Sequence, residues 1–174
     1  MKVWSVLLLL CAGASARLGA PPFPDFLEGN WIQVLSSRYV QQTAEIDWDC
    51  VRIQFSRTPD SNVTITKTGI MHNRPELVAT VIRDYQPELV ENRWVFHPLH
   101  IHSLRRIDLS LDYHNGTEIA VVSSDDRLSV CVWTRTWDTY TQNSRNISKI
   151  LHQLDFATYY RFPIPSFTEA CLLG

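Results

Sequence analysis

The chain has 174 residues, of which 45% are hydrophobic, 11% aromatic and 20% charged, enough apolar side chain to bury one core and too much for bulk disorder. Lys and Arg number 16 against 18 Asp and Glu, a formal net charge of −2. No basic run follows from that balance, so a nucleic-acid backbone is not among the expected partners.

In chain order the first element belongs to targeting. Lys2 precedes the apolar run Val3 to Ala12, and Ala14-Ser15-Ala16 supplies a small-x-small cleavage site, so residues 1–16 read as a secretory signal peptide. The apolar run is shorter than the ~20 residues that a bilayer requires. Residues 17–174 are therefore expected as one secreted, extracellular domain without a membrane span. Cys11 leaves with the signal segment, and Cys50, Cys131 and Cys171 remain. An oxidising compartment suggests one disulfide and one leftover thiol. Sequons at Asn62, Asn115 and Asn146 fit the same route and are the expected glycosylation sites.

After the lead Pro21-Pro22-Phe23-Pro24, short alternating runs are separated by turn signals, as in a sandwich or barrel. The runs are Trp31 to Tyr39, Cys50 to Arg57, Asn62 to Ile70, Leu77 to Tyr85, Arg93 to His97, Leu104 to Tyr113, Thr117 to Ser124 and Leu128 to Trp137. Thr58-Pro59-Asp60-Ser61, His114-Asn115-Gly116 and Ser124-Asp125-Asp126 are turn sequences between them. Between Tyr140 and Phe156 the pattern changes: Ile147, Ile150, Leu151 and Leu154 fall at helical spacing, with Asn143 or Ser144 as the cap. Tyr159 to Phe162 offers a short ninth strand that Pro163 and Pro165 stop. The fold class is all-β: an eight-stranded antiparallel up-and-down barrel with one C-terminal α-helix and a short ninth strand. Such a barrel has room for one small ligand.

Three separated motifs carry a family resemblance. Gly29-Asn30-Trp31 resembles the G-x-W at the start of the first lipocalin strand. Leu111-Asp112-Tyr113 resembles the T-D-Y that ends the sixth, with Leu in place of Thr, and Trp133-Thr134-Arg135-Thr136 resembles the ending of the eighth. From Asp112 to Arg135 the layout is similar to that of apolipoprotein D and the bacterial outer-membrane lipocalins. The resemblance implies structural roles for Gly29, Trp31, Asp112, Tyr113 and Arg135. Trp31 fills the closed end of the barrel, and Arg135 lies over its face in a cation–π pair of about 0.5–2 kcal/mol. It also implies a Cys50–Cys171 bond tying tail to barrel, which leaves Cys131 free.

With Arg135 turned inward, alternation places Trp133, Cys131 and Ser129 on the inner face and Val130 and Val132 beneath the helix. The apolar sets Val51, Ile53, Phe55 and Val63, Ile65 face inward on their strands, and Lys67 shares the face of the latter. The candidate ligand contacts are Val51, Ile53, Phe55, Ile65, Lys67, Cys131 and Trp133. Lys67 either meets a ligand carboxylate near the mouth or snorkels to solvent, because an uncompensated buried charge is expensive. Trp94 and Phe96 are further aromatic candidates. Cys131 invites comparison with a lipocalin subgroup that uses a lumen thiolate for isomerisation, but no base stands near it in sequence, and it reads as a small buried hydrophobe. His97, His100 and His102 form an H-x-x-H-x-H run without a nearby acidic or Cys partner, so no metal site is expected. No cofactor or catalytic constellation is expected either. The leading reading is a monomeric secreted protein that carries or sequesters a small hydrophobic ligand: a lipid, sterol, retinoid or pigment. The rival is a secreted glycoprotein that uses the barrel as a scaffold and binds a receptor protein through its loops.

Overall fold

Alternating apolar and polar side chains resolve into a continuous antiparallel ladder in the computed structural model, which describes residues 25–99, 108–156, 158 and 161–172. The signal segment at 1–16, the proline-rich lead at 21–24, His100, His102, Leu104, Tyr159 and Tyr160 lie outside the described residues. The strands are β1 (Gly29–Ser37), β2 (Trp48–Arg57), β3 (Val63–Met71), β4 (Arg74–Val90), β5 (Arg93–Pro98), β6 (Leu109–Asn115), β7 (Ile119–Ser124) and β8 (Val130–Thr134). Each pairs with the next, and β1 pairs with both β2 and β8, which closes the sheet into a barrel.

Period-two alternation divides the apolar residues between two cores. Inside the barrel, Trp31, Val51, Ile53, Phe55, Val63, Ile65, Phe96, Cys131 and Trp133 form one cluster. Outside it, Ile32, Val34, Val121, Val130 and Val132 pack under Ile147, Ile150 and Leu151 of helix α2 (Trp137–Gln153). The helix covers the outer faces of β1, β7 and β8, which explains why all five residues of β8 are buried. The Cys50–Cys171 disulfide spans 121 residues, and Cys131 is a free, buried thiol.

Several boundaries differ from the sequence expectation: β4 runs Arg74–Val90 and not only Leu77 to Tyr85, β8 is shorter than Leu128 to Trp137, and three further differences have a visible cause. β1 stops at Ser37, whose hydroxyl accepts from the Val40 amide at 3.4 Å and caps the short mouth helix α1 (Arg38–Thr43). Helix α2 begins at Trp137, capped by Thr136 and not by Asn143 or Ser144: the Thr136 hydroxyl accepts from the Thr139 amide at 3.1 Å. Trp137 and Tyr140 pack against the outer core, so tertiary burial adds a turn that the aliphatic periodicity does not reveal. The ninth strand, β9, is Pro163–Pro165 and pairs with Leu35–Ser37 of β1. The expected Tyr159 to Phe162 segment precedes it; proline is tolerated in β9 because an edge strand leaves its missing N–H on the unpaired side.

Candidate ligand-binding site

One end of the barrel is filled. Chain Asp25–Leu27 crosses it as a 3-10 turn, and the Trp31 indole N–H donates to the Leu27 carbonyl at 2.8 Å. The Arg135 guanidinium lies 3.9 Å from the Trp31 ring centroid and donates to the carbonyls of Phe26, Glu28, Asn30 and Thr117 at 2.6, 2.9, 2.8 and 2.9 Å. Gly29, at φ +97°, makes this crossing: a side chain there would strain the backbone, and its Cβ would lie 3.4 Å from Arg135 Nη1. Above the plug, Phe55 packs against Phe96 and Trp133 with ring centroids 6.3 and 5.4 Å apart. Asp112 sits on the outer wall, its side chain only 2% exposed, with Arg93 and Arg127 at 3.3 and 4.0 Å. Burial raises the Asp112 pKa above the ordinary carboxylate value while the two arginines act against it. Tyr113 packs against the outer core, after a register shift between Leu111 and Tyr113.

The other end holds a cavity of ≈ 320 Å³, within the ~300–1,000 Å³ usual for small-molecule sites. Ile65, Trp133, Tyr85, Leu109 and Val122 form much of its wall, and Tyr39, Val40 and Trp48 stand at the mouth. Trp48 lies over Gly69, where a Cβ would come within 2.7 Å of the indole; a glycine at that position gives the ring its seat.

Between plug and cavity lies a polar tier that crosses the lumen. The loop after the mouth helix turns Glu45 into the barrel, leaving the residue only 4% exposed. Lys67 Nζ reaches Glu45 Oε1 at 2.8 Å and Gln33 Oε1 at 3.2 Å. Gln33 Nε2 donates to Glu45 Oε2 at 2.6 Å, and the Trp133 indole N–H donates to Gln33 Oε1 at 3.3 Å. Each buried charge thus has an opposite charge and an amide partner, the condition for holding ions out of water. Burial acts against the Lys67 charge, but the Glu45 carboxylate overcomes it and holds the lysine pKa above its ordinary value. Cys131 borders the same tier. Burial pushes its thiol up to about 12 despite nearby Lys67, so it is protonated at neutral pH and not a nucleophile.

The cavity gathers part of the expected contact set. Ile65, Lys67, Cys131 and Trp133 line it. Val51, Ile53 and Phe55 do not; they belong to the packed inner core, where Phe55 meets the Trp133 ring. Trp94 and Phe96 also turn inward, Phe96 fully buried and Trp94 at the edge of the cluster. Neither reading of Lys67 anticipates its internal partner Glu45. Gln33 follows from alternation with Trp31, and Arg83 and Tyr85 from alternation with Val81, but no periodicity marks Glu45 in its loop. His97 lies between Glu88 and Asp108, at 3.0 and 2.9 Å, so acidic partners distant in sequence do reach it. Among the described residues no group of three or more His, Cys, Asp or Glu could hold a metal ion. Asn115 and Asn146 are exposed and Asn62 is half-buried.

No family model matches the sequence, and no curated protein matches it. In shape the likeness is extensive. The major allergen Per a 4 from cockroaches superposes with a TM-score of 0.65 at 8% identity, over 89% of this chain and 94% of that one. The siderocalin Ex-FABP, described as functioning through dual ligand specificities, gives 0.59 at 9% identity over 83% and 97% of the two chains. The chain has the lipocalin fold. Japanin from Rhipicephalus appendiculatus, bound to cholesterol, aligns over 87% of this chain and all 100% of its own, with a TM-score of 0.57 at 13% identity. At such identities the shared property is the barrel itself, and among the described residues of this lipocalin-fold chain no helix is long and apolar enough to cross a membrane.

Proposed function

We propose that this protein is a secreted carrier that holds one small hydrophobic ligand in the open half of its barrel. The observation that carries the reading is the ≈ 320 Å³ cavity bounded below by a filled closed end and above by the mouth helix. A ligand there exchanges water for aliphatic and aromatic walls, a gain of roughly 25 cal/mol per Å² of apolar surface buried. Cysteine usage supports secretion, since the Cys50–Cys171 bond belongs to an oxidising compartment. The motifs at Gly29–Trp31, Asp112–Tyr113 and Arg135 support a placement beside apolipoprotein D and the bacterial lipocalins. The exposed Asn115 and Asn146 suit glycosylation. The high thiol pKa of Cys131 and the fully paired Glu45 favour binding over catalysis.

Native mass spectrometry of the purified protein, joined to tryptophan fluorescence during titration with a lipid panel, tests the reading. Trp48 and Trp133 line the cavity and report its occupancy. A co-purified small molecule or a saturable quench of one site per chain is expected. A protein that takes up none of a panel of lipids, sterols and retinoids would refute the carrier.

A further inference from the structure

The polar tier resolves the class of ligand, granted the carrier reading above. Three charged side chains line the cavity: Lys67, Arg83 and Glu45. Glu45 is satisfied, because Lys67 occupies one carboxylate oxygen and the Gln33 amide the other. Lys67 is not saturated. Its ammonium has three donors, of which Glu45 and Gln33 take two; the Trp133 ring, its centroid 5.8 Å from Nζ, offers a cation–π contact and no hydrogen-bond acceptor of its own, and the Lys67 side chain is 22% exposed against 4% for Glu45. The cation is therefore the member of the pair with a hydrogen bond left to give to a molecule in the cavity. Arg83 has no carboxylate partner among the described residues. It stands two positions along β4 from Val81, the register partner of Lys67 on β3, and so is its diagonal neighbour on the inner wall, at a typical separation of ~7–8 Å. The lining holds two cations against one anion, with the apolar wall of Ile65, Leu109 and Val122 around them.

We propose that Lys67 and Arg83 form a headgroup subsite for an amphiphile with a single carboxylate, whose tail lies along the apolar wall of the cavity. The carboxylate accepts from the unused Lys67 N–H and from the Arg83 guanidinium, and the charge of the lining is then balanced. Glu45 keeps its own place beside Lys67 and Gln33, so it repels a second carboxylate from the same tier. An alcohol of the same tail leaves the net positive charge of the lining unneutralised. An amine meets two like charges and finds the one carboxylate already occupied, and like-charge contact opposes it.

Titration of the full chain with lauric acid, dodecanol and dodecylamine at neutral pH, followed by tryptophan fluorescence, tests the subsite because the tails are matched. The acid is expected to bind about tenfold more tightly than the alcohol, the gain typical of one charge-assisted pair, with the amine weakest. Arg83→Gln, a change at an exposed position that the core does not depend on, should collapse the acid-to-alcohol ratio toward unity. Lys67→Gln combined with Glu45→Gln, which leaves no lone buried charge, should do the same. Equal affinity of the acid and alcohol, tighter binding of the amine, or a ratio that survives Arg83→Gln overturns the subsite while leaving the carrier intact. Absence of binding by all three overturns the subsite, and the carrier falls only if the wider lipid panel also fails.

Discussion

At the closed end the Arg135 guanidinium covers the Trp31 ring and is received by four backbone carbonyls, and Phe55 packs above them against Phe96 and Trp133. At the open end, the mouth helix and the loop carrying Glu45 stand over a cavity whose lining includes a lysine and a glutamate held in place by a buried glutamine. The first arrangement stabilises by burial, dispersion and the cation–π contact. The second sacrifices local packing for a cavity with charged side chains in its lining, where the proposed ligand would lie. The difference teaches that in one barrel stability and ligand chemistry are separated along the axis, so that they can be disturbed independently.

The strongest way to break that separation is at the plug. Trp31→Ala is expected to lower unfolding free energy by about 3–5 kcal/mol, read from denaturant titration, while the affinity of the folded fraction for ligand stays as in the parent. A stable Trp31→Ala that has lost binding would place the site at the wrong end. Replacing Cys50 and Cys171 together by Ser should cost about 3 kcal/mol, because the unfolded chain regains the freedom of the long loop that the bond closes. The same denaturant assay measures it, and a negligible loss would mean that packing of the tail already holds it in place.

A smaller effect distinguishes the two faces of β8. Val130 lies in the outer core under α2 and Cys131 faces the cavity, so Val130→Trp should lose about 1–3 kcal/mol by overpacking. Cys131→Trp should keep most of the stability and instead weaken or redirect ligand binding. Thermal midpoints and affinities of both variants check the pair, and a reversed outcome would shift the register of β8 by one residue.

The smallest effect expected is an alkaline one. The Cys131 thiol is raised in the fold from 9.0 to about 12, so the unfolded chain loses that proton first, and stability falls as pH climbs from 9 toward 12. Lys67 acts in the same direction. Its pKa is raised by Glu45 against burial, so its contribution is fully present below the ordinary lysine value of ~10.4 and is lost as pH rises through the folded value. The thermal midpoint should therefore decline above pH 9, and Cys131→Ala should delay the decline. An unchanged pH profile in Cys131→Ala would show that the thiol is not shielded in the folded protein.

Much of the barrel was legible in the sequence, because the strands alternate within short windows and the turns carry their own chemistry. Val51, Ile53 and Phe55 fall on the inner face, as do Cys131 and Trp133, while Val130 and Val132 lie under the helix. The disulfide partners also agree with the bond implied by the family resemblance. The site was legible only in part. Ile65, Lys67, Cys131 and Trp133 reach the cavity, whereas Val51, Ile53 and Phe55 share the inner face without reaching it. Alternation assigns a side chain to a face but gives no depth along the barrel axis, and it is depth that separates plug from pocket.

By itself, then, the amino-acid order determined the all-β architecture, the two-sided burial of β8 and the place of the helix after the strands, while the cation–π plug of Trp31 and Arg135 was implied by the resemblance of short motifs to the lipocalins. Those features depend on periods of two or 3.6 residues and on motifs a few residues long. Tertiary structure alone decided that the Arg38–Thr43 segment coils into a helix at the mouth, that Pro163–Pro165 pairs with β1, and that Glu45 meets Lys67 and Gln33 inside the lumen. These contacts join residues that no local pattern links. Their energy comes from removing charges from water only where an opposite charge is already waiting, and that condition exists only after the barrel has closed.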